Sequence, residues 1–197
     1  IIHFFIVTWS GLMYLNFLNA TSLSDFGWYM DWMVSTPLIL LALGLTAMHN
    51  SKTRWDLLGL LMGLQFMLVV TGIISQESGM TFAYWIGNAL LLGVIYLLWG
   101  PFKQMAYETS DTLGKSYTTL ASYISVFFVL YPVVWYIGIP GPLNVLNGFQ
   151  TSVAFVVLPF FCKQVYGFLE MYMIHKAEEE MAERKCHSLF FLILGLL

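Results

Sequence analysis

Lys163 poses the sharpest chemical question in this chain. It sits near the middle of the apolar run "VAFVVLPFFCKQVYGFLEMY", whereas every other Lys and Arg falls in a loop or flank. A charged amine inside such a run is costly unless it is neutralised, paired or chemically capped. A snorkelling lysine would need its stem to cross more than two helical turns to reach an interface. A Schiff base with a carbonyl cofactor would make the amine useful and account for its burial. Asp31, in "WYMDWMVSTPLILLALG", is the natural ionic partner. The plainer reading of Asp31 is a residue near a helix start that caps backbone groups or meets interfacial water. Glu170 follows Lys163 by seven residues. That is about 700° of rotation and about 10 Å of rise, so the two face nearly the same way. Glu170 reads either as a snorkelling carboxylate or as a partner for His3, itself either paired or merely interfacial.

The surroundings of these groups identify the solvent. The chain has 197 residues, of which 59% are hydrophobic and 10% charged, and its mean hydropathy is +0.76. Soluble domains carry about 25% charged residues, so this chain is built for lipid, with length for six or seven spans. A net charge of -3 without a basic cluster gives no sign of nucleic acid as a partner. Cys162 and Cys186 form neither a disulfide framework nor a metal-ligand spacing. The sequence opens at Ile1 inside an apolar stretch, without a signal peptide, and the expectation is that something precedes it.

Long apolar runs predict six helices, at about 1–18, 26–48, 54–75, 80–100, 116–138 and 147–175. Turn chemistry fills the breaks, in "NATSLSD", "HNSKTR", "SQESGM", "GPFKQMAYETSDTLGK" and "GIPGPLN". The reading is one transmembrane domain over 1–175, then a tail over 176–197. That tail holds the polar "HKAEEEMAERKCHS" and an unassigned short apolar segment, "LFFLILGLL". Lys52, Arg54, Lys103, Lys115, Lys176, Arg184 and Lys185 collect at one end of the bundle, which the positive-inside rule makes cytoplasmic. Trp32, Trp85, Tyr131 and Trp135 lie within helices, where aromatic residues serve packing or lipid contact as readily as a cofactor. Pro37 and Pro132 should kink or loosen their helices, and Pro159 lies one turn before Lys163.

Three segments, "YMDWMVSTPLILL", "YPVVWYIG" and "LPFFCKQVYGFL", together resemble the third, sixth and seventh helices of microbial rhodopsins. The order "DW…STPL", "YPVVW" and a mid-helix Lys carries the match, "QFMLVVTG" adds the fourth helix, and the likeness covers essentially the whole chain. The resemblance implies an all-α membrane protein, a seven-transmembrane-helix retinal-binding bundle whose first helix is missing or truncated in this sequence. It makes Lys163 the residue linked to all-trans-retinal, places Asp31 at the primary counterion position and puts Ser35 one turn further on. Asp31 would then compensate the charge of the protonated Schiff base. Trp32, Thr36, Leu68, Gly72, Trp85, Asn88, Phe128, Tyr131 and Trp135 match pocket positions, with Phe128 departing from the usual Trp.

The departures from outward proton pumps bear on direction. Ala42 stands where their internal proton donor sits, Trp28 where they carry Arg, and Pro159 where a second carboxylate precedes the lysine. Pro159 with an acid seven residues after the lysine resembles the xenorhodopsins, which include inward proton pumps and a sensor. Trp28, Ser10 and His3 fit the pumping members, and Glu170 replaces their frequent Asp. The implied function is a light-driven inward proton pump in the cell membrane, a transporter and photoreceptor rather than an enzyme. Protons would leave toward Glu170 and His3 and be replaced from outside past Asp31, Ser10 and Trp28. The competing readings are a sensor of the same subgroup with a soluble transducer, and a light-gated channel. A non-retinal scaffold would leave Lys163 unexplained. Protons and the lipid bilayer are the expected partners, and a homotrimer is one oligomer the family suggests.

Overall fold

The computed structural model describes residues 1–18, 27–139 and 141–194. The expected loop "NATSLSD" lies outside the described residues, as do Pro140 and residues 195–197. The described residues are helical throughout apart from turns and short links, with no strand among them. In chain order the helices are α1 (Ile2–Leu18), α2 (Gly27–Ala47), α3 (Trp55–Ser78), α4 (Thr81–Leu97), α5 (Lys103–Thr109), α6 (Asp111–Ile137), α7 (Gly148–Pro159) and α8 (Tyr166–Leu194). Two π-helical turns, Leu98–Phe102 and Phe160–Val165, join α4 to α5 and α7 to α8 without a break. Five of the resulting helices are long and apolar enough to cross a membrane, and Ile2–Leu15 adds a shorter apolar one.

Each helix packs on its chain neighbours, and the bundle closes where α1 meets the second π turn and α6 meets α8. α2 also reaches α6 and α5, and is the most deeply buried span. Inside, Ile39, Leu40 and Leu43 of α2 meet Leu58, Leu61, Leu98, Phe102 and Tyr117 in one apolar cluster. Outside, Phe4, Leu12, Leu60, Phe66, Leu92, Tyr96 and Phe168 are exposed. So much outward-facing apolar surface suits hydrocarbon as solvent and not water.

Two stretches differ from the sequence expectation. The helix expected to stop near residue 100 continues to Thr109, so most of "GPFKQMAYETSDTLGK" is helical. Pro101 cannot donate a backbone hydrogen bond, but the wider π turn absorbs it, and Tyr117 Oη donates to the Leu98 carbonyl at 2.9 Å. The real corner is Ser110, whose hydroxyl accepts from Leu113 N at 3.1 Å. Here α5 and α6 approach so closely that a Cβ on Gly114 would lie 2.4 Å from the Tyr107 ring. The second difference is α8, which passes residue 175 and runs to Leu194. Its Ala, Glu, Met, Lys and Arg residues are strong helix formers, so loss of apolar character there does not mean loss of helix.

Candidate functional site

Three helical elements bring Lys163, Asp31 and Ser10 together in the core. Lys163 lies in the π turn that follows Pro159, and π turns concentrate at functional positions. Each of the three residues is 1% exposed. The Lys163 amine forms an ion pair with Asp31 Oδ2 and donates to Ser10 Oγ at 2.9 Å. Ser10 in turn donates to Asp31 Oδ1 at 2.6 Å. Both carboxylate oxygens are therefore engaged, as a buried charge pair requires.

Ser35, expected one turn from Asp31, is fully buried but does not touch the carboxylate. Its hydroxyl donates to the Asp31 backbone carbonyl at 2.7 Å, and Thr36 does the same to Trp32 at 2.7 Å. Both lie just before Pro37, where the helix lacks one backbone donor.

Beside this pair is a cavity walled by Tyr29, Trp32, Thr36, Gln65, Leu68, Val69, Gly72, Tyr84, Gly87, Asn88, Leu91, Phe128, Tyr131, Pro132 and Trp135. It leaves about 90 Å³ for the centres of water-sized spheres, where a single water needs about 10–15 Å³. Eight of the expected pocket residues line it: Trp32, Thr36, Leu68, Gly72, Asn88, Phe128, Tyr131 and Trp135. Three do not. Trp85 is 60% exposed and lies against Tyr84 and Tyr136 on the outside of the bundle. Pro159 shapes the backbone instead, and Lys163 turns its amine to Asp31. The aromatic walls interlock, with Trp32 edge-on to Tyr29, Tyr131 and Phe155. Gln65 donates to Thr36 Oγ1 at 2.9 Å, while its Oε1 and Trp32 Nε1 are buried without a hydrogen-bond partner.

Toward the Lys- and Arg-rich end, a second polar centre forms around Glu170. His3 Nε2 meets Glu170 Oε2 at 2.5 Å, and Thr46 donates to Glu170 Oε1 at 2.8 Å. Glu170 is 1% exposed, so this is a built site and not a snorkelling carboxylate. Gly167 makes room for the imidazole: a Cβ there would lie 3.1 Å from His3 Nδ1. Between the two centres the same helix faces carry Ile6, Ile39 and Tyr166, all fully buried members of the main apolar cluster. Seven residues of helix make this layer about 10 Å deep.

At the opposite end, Pro159 has no N–H to offer the Phe155 carbonyl one turn earlier. Tyr14 Oη supplies the missing donor at 3.2 Å. Trp28 packs edge-on against Tyr14 and tilts over Phe155, so it covers this junction. Tyr29 Oη closes the same end by donating to Gln76 at 2.8 Å.

Sequence reasoning missed Thr46, Gln65, Tyr14 and the cavity residues Tyr29, Val69, Tyr84, Gly87, Leu91 and Pro132. Thr46 carried a usable signal, since it is a polar residue in the turn after Ala42 on the side where Glu170 had to find a partner. For Gln65 the signal was a lone amide in "LLGLLMGLQFMLVV".

A family model described as bacteriorhodopsin-like protein matches residues 1–177. The bacteriorhodopsin of Haloterrigena sp. (strain arg-4) is 32% identical over 143 residues, 71% of this chain and 56% of that protein. Archaerhodopsin-2 of Halobacterium sp. (strain aus-2) is 32% identical over 145 residues, 72% of this chain and 54% of that protein. The chain thus spans just over half the length of these curated relatives. Among solved structures, that of the inward H(+) pump xenorhodopsin is similar at 64% identity and a TM-score of 0.87, covering 90% of this chain and 80% of that one. Halorhodopsin, a light-driven chloride pump, is similar at 28% identity and a TM-score of 0.70, covering 80% and 65%.

Proposed function

The chain belongs to the bacteriorhodopsin-like family of multi-pass membrane proteins, and from that premise we propose that it is a light-driven inward proton pump carrying retinal on Lys163. The observation that carries the direction is the buried Glu170–His3–Thr46 centre. It lies one apolar layer from the Lys163 nitrogen, on the side that the charge distribution makes cytoplasmic. The description of the xenorhodopsin neighbour as an inward H(+) pump supports the same reading.

The residues fit retinal. Lys163 offers a buried amine, and Trp32, Phe128, Tyr131 and Trp135 wall an apolar cavity beside it. Leu68, Gly72, Thr36 and Asn88 complete the walls. When bound, retinal supplies light absorption and an isomerisation that reorients the lysine nitrogen. Asp31 holds the positive charge at that nitrogen in the dark, and Ser10 fixes the carboxylate by donating to it. Glu170 accepts the proton on the inner side, because Ala42 offers no acid–base group and His3 and Thr46 orient the Glu170 carboxylate. Return of a proton to the nitrogen comes from the outer side, past Trp28 and Ser10.

The test is the light-induced pH change in an unbuffered suspension of cells expressing the chain with retinal. Alkalinisation of the medium, abolished by a protonophore, is expected, and Glu170→Gln should reduce its rate by about 100-fold, the contribution usual for a positioned acid–base group. Acidification abolished by the same reagent overturns the direction. No pH change alongside a normal visible photocycle replaces the pump with a sensor.

A further inference from the structure

Beyond Glu170 the geometry points to a further relay residue, and we propose that His49, held by Glu178, passes the proton from the Glu170 centre to the cytoplasm. The inference rests on the pump reading above. α2 and α8 are bridged twice on this side. The inner bridge is Thr46 to Glu170 at 2.8 Å. The outer bridge is His49 Nε2 to Glu178 Oε1 at 3.2 Å. Eight residues separate Glu170 from Glu178, about 12 Å along the helix. That is too far for a direct transfer, but the gap is not packed shut.

A groove open to the outside lies between the bridges, running from Ile1, Ile2 and His3 to Thr46, His49 and Glu170. The groove, about 380 Å³ in volume, admits solvent between Glu170 and His49, where a single water needs about 10–15 Å³. One wall is the proton-accepting carboxylate and another is the imidazole. The His49 side chain is 27% exposed and Glu178 49% exposed, against 1% for Glu170, so the order from core to solvent is Glu170, His49, Glu178. An imidazole can take a proton on one ring nitrogen and release another from the second. Glu178 fixes the ring and neutralises its charge while the proton is aboard.

The test uses the full chain with retinal in inverted membrane vesicles, cytoplasmic face outward, with an impermeant pH dye in the medium. Flash photolysis then times proton loss at the Lys163 nitrogen, and the dye times the arrival of the proton outside. With His49→Gln the first step should keep its wild-type rate, while acidification of the medium is delayed about tenfold. Added imidazole should remove the delay, which a purely structural defect would not allow, and Glu178→Gln should show a smaller delay of the same kind. A dye signal in step with wild type, or a delay that imidazole leaves untouched, overturns the relay and leaves the pump standing. Wild-type vesicles that never acidify the medium overturn the pump reading and the relay with it. A second readout needs no light: the ¹⁵N resonances of the His49 ring in the retinal-free protein should move in Glu178→Gln. Unmoved resonances remove the ion pair on which the relay depends.

Discussion

Tyr14→Phe should destabilise the protein in a way that depends on Pro159. Proline removes the N–H that would have bonded the Phe155 carbonyl one turn back, and Tyr14 reaches from α1 to supply a donor at 3.2 Å. Phe155 is 7% exposed, so water cannot take over that role. Leaving a buried acceptor without a partner costs about 1–3 kcal/mol. The hydrogen bond is longer than the usual range of about 2.5–3.0 Å for a hydroxyl donor, which places the expected loss near the lower limit, about 1 kcal/mol. In a Pro159→Ala background the backbone regains its own donor, so the same Tyr14 change should cost little. The coupling energy across this double-mutant cycle is then about 1 kcal/mol. Reversible unfolding of the four variants in mixed micelles measures it, and the visible band in the presence of retinal reports whether the Lys163 turn has moved. Equal Tyr14→Phe losses in both backgrounds would refute the assignment, because Tyr14 would then be acting through some contact other than the carbonyl that Pro159 frees.

Two further outcomes follow from placement in the bundle. With all-trans-retinal added, Lys163→Ala should abolish the visible band and Trp135→Leu should shift it. Trp85→Leu should leave the band in place because that ring faces outward; a shift of the size seen for Trp135 would put Trp85 back in the pocket. Gly167→Val sets a side chain 3.1 Å from the resting position of His3 Nδ1 and displaces the imidazole from Glu170. Proton transfer to Glu170, followed by time-resolved infrared absorption of the carboxyl group, should slow about tenfold, equivalent to about 1.4 kcal/mol of barrier. An unchanged rate would show that His3 does not orient Glu170.

The sequence was most informative where burial conflicts with charge. Lys163 in an apolar run had to be paired, and the seven-residue step to Glu170 had to put both on one face, because helical geometry is local and lipid tolerates no idle charge. The long apolar helices were legible for the same reason. Propensity was read less well than hydropathy: the charged start of the tail is helical because Ala, Glu and Lys favour helix without needing an apolar face.

What the tertiary structure decided is which polar groups converge. Ser10 and Asp31 are 21 residues apart and meet because α1 and α2 pack side by side around the Lys163 turn. Thr46 finds Glu170 across 124 residues. Trp85 carries the same aromatic character as Trp32 and Trp135 but faces outward, since the rotation of α4 about its axis is set by its neighbours and not by its composition. Pro159 looks disruptive in one dimension and is harmless in three, because the hydroxyl it needs comes from another helix. Sequence determines which groups must be satisfied; packing decides which partners satisfy them.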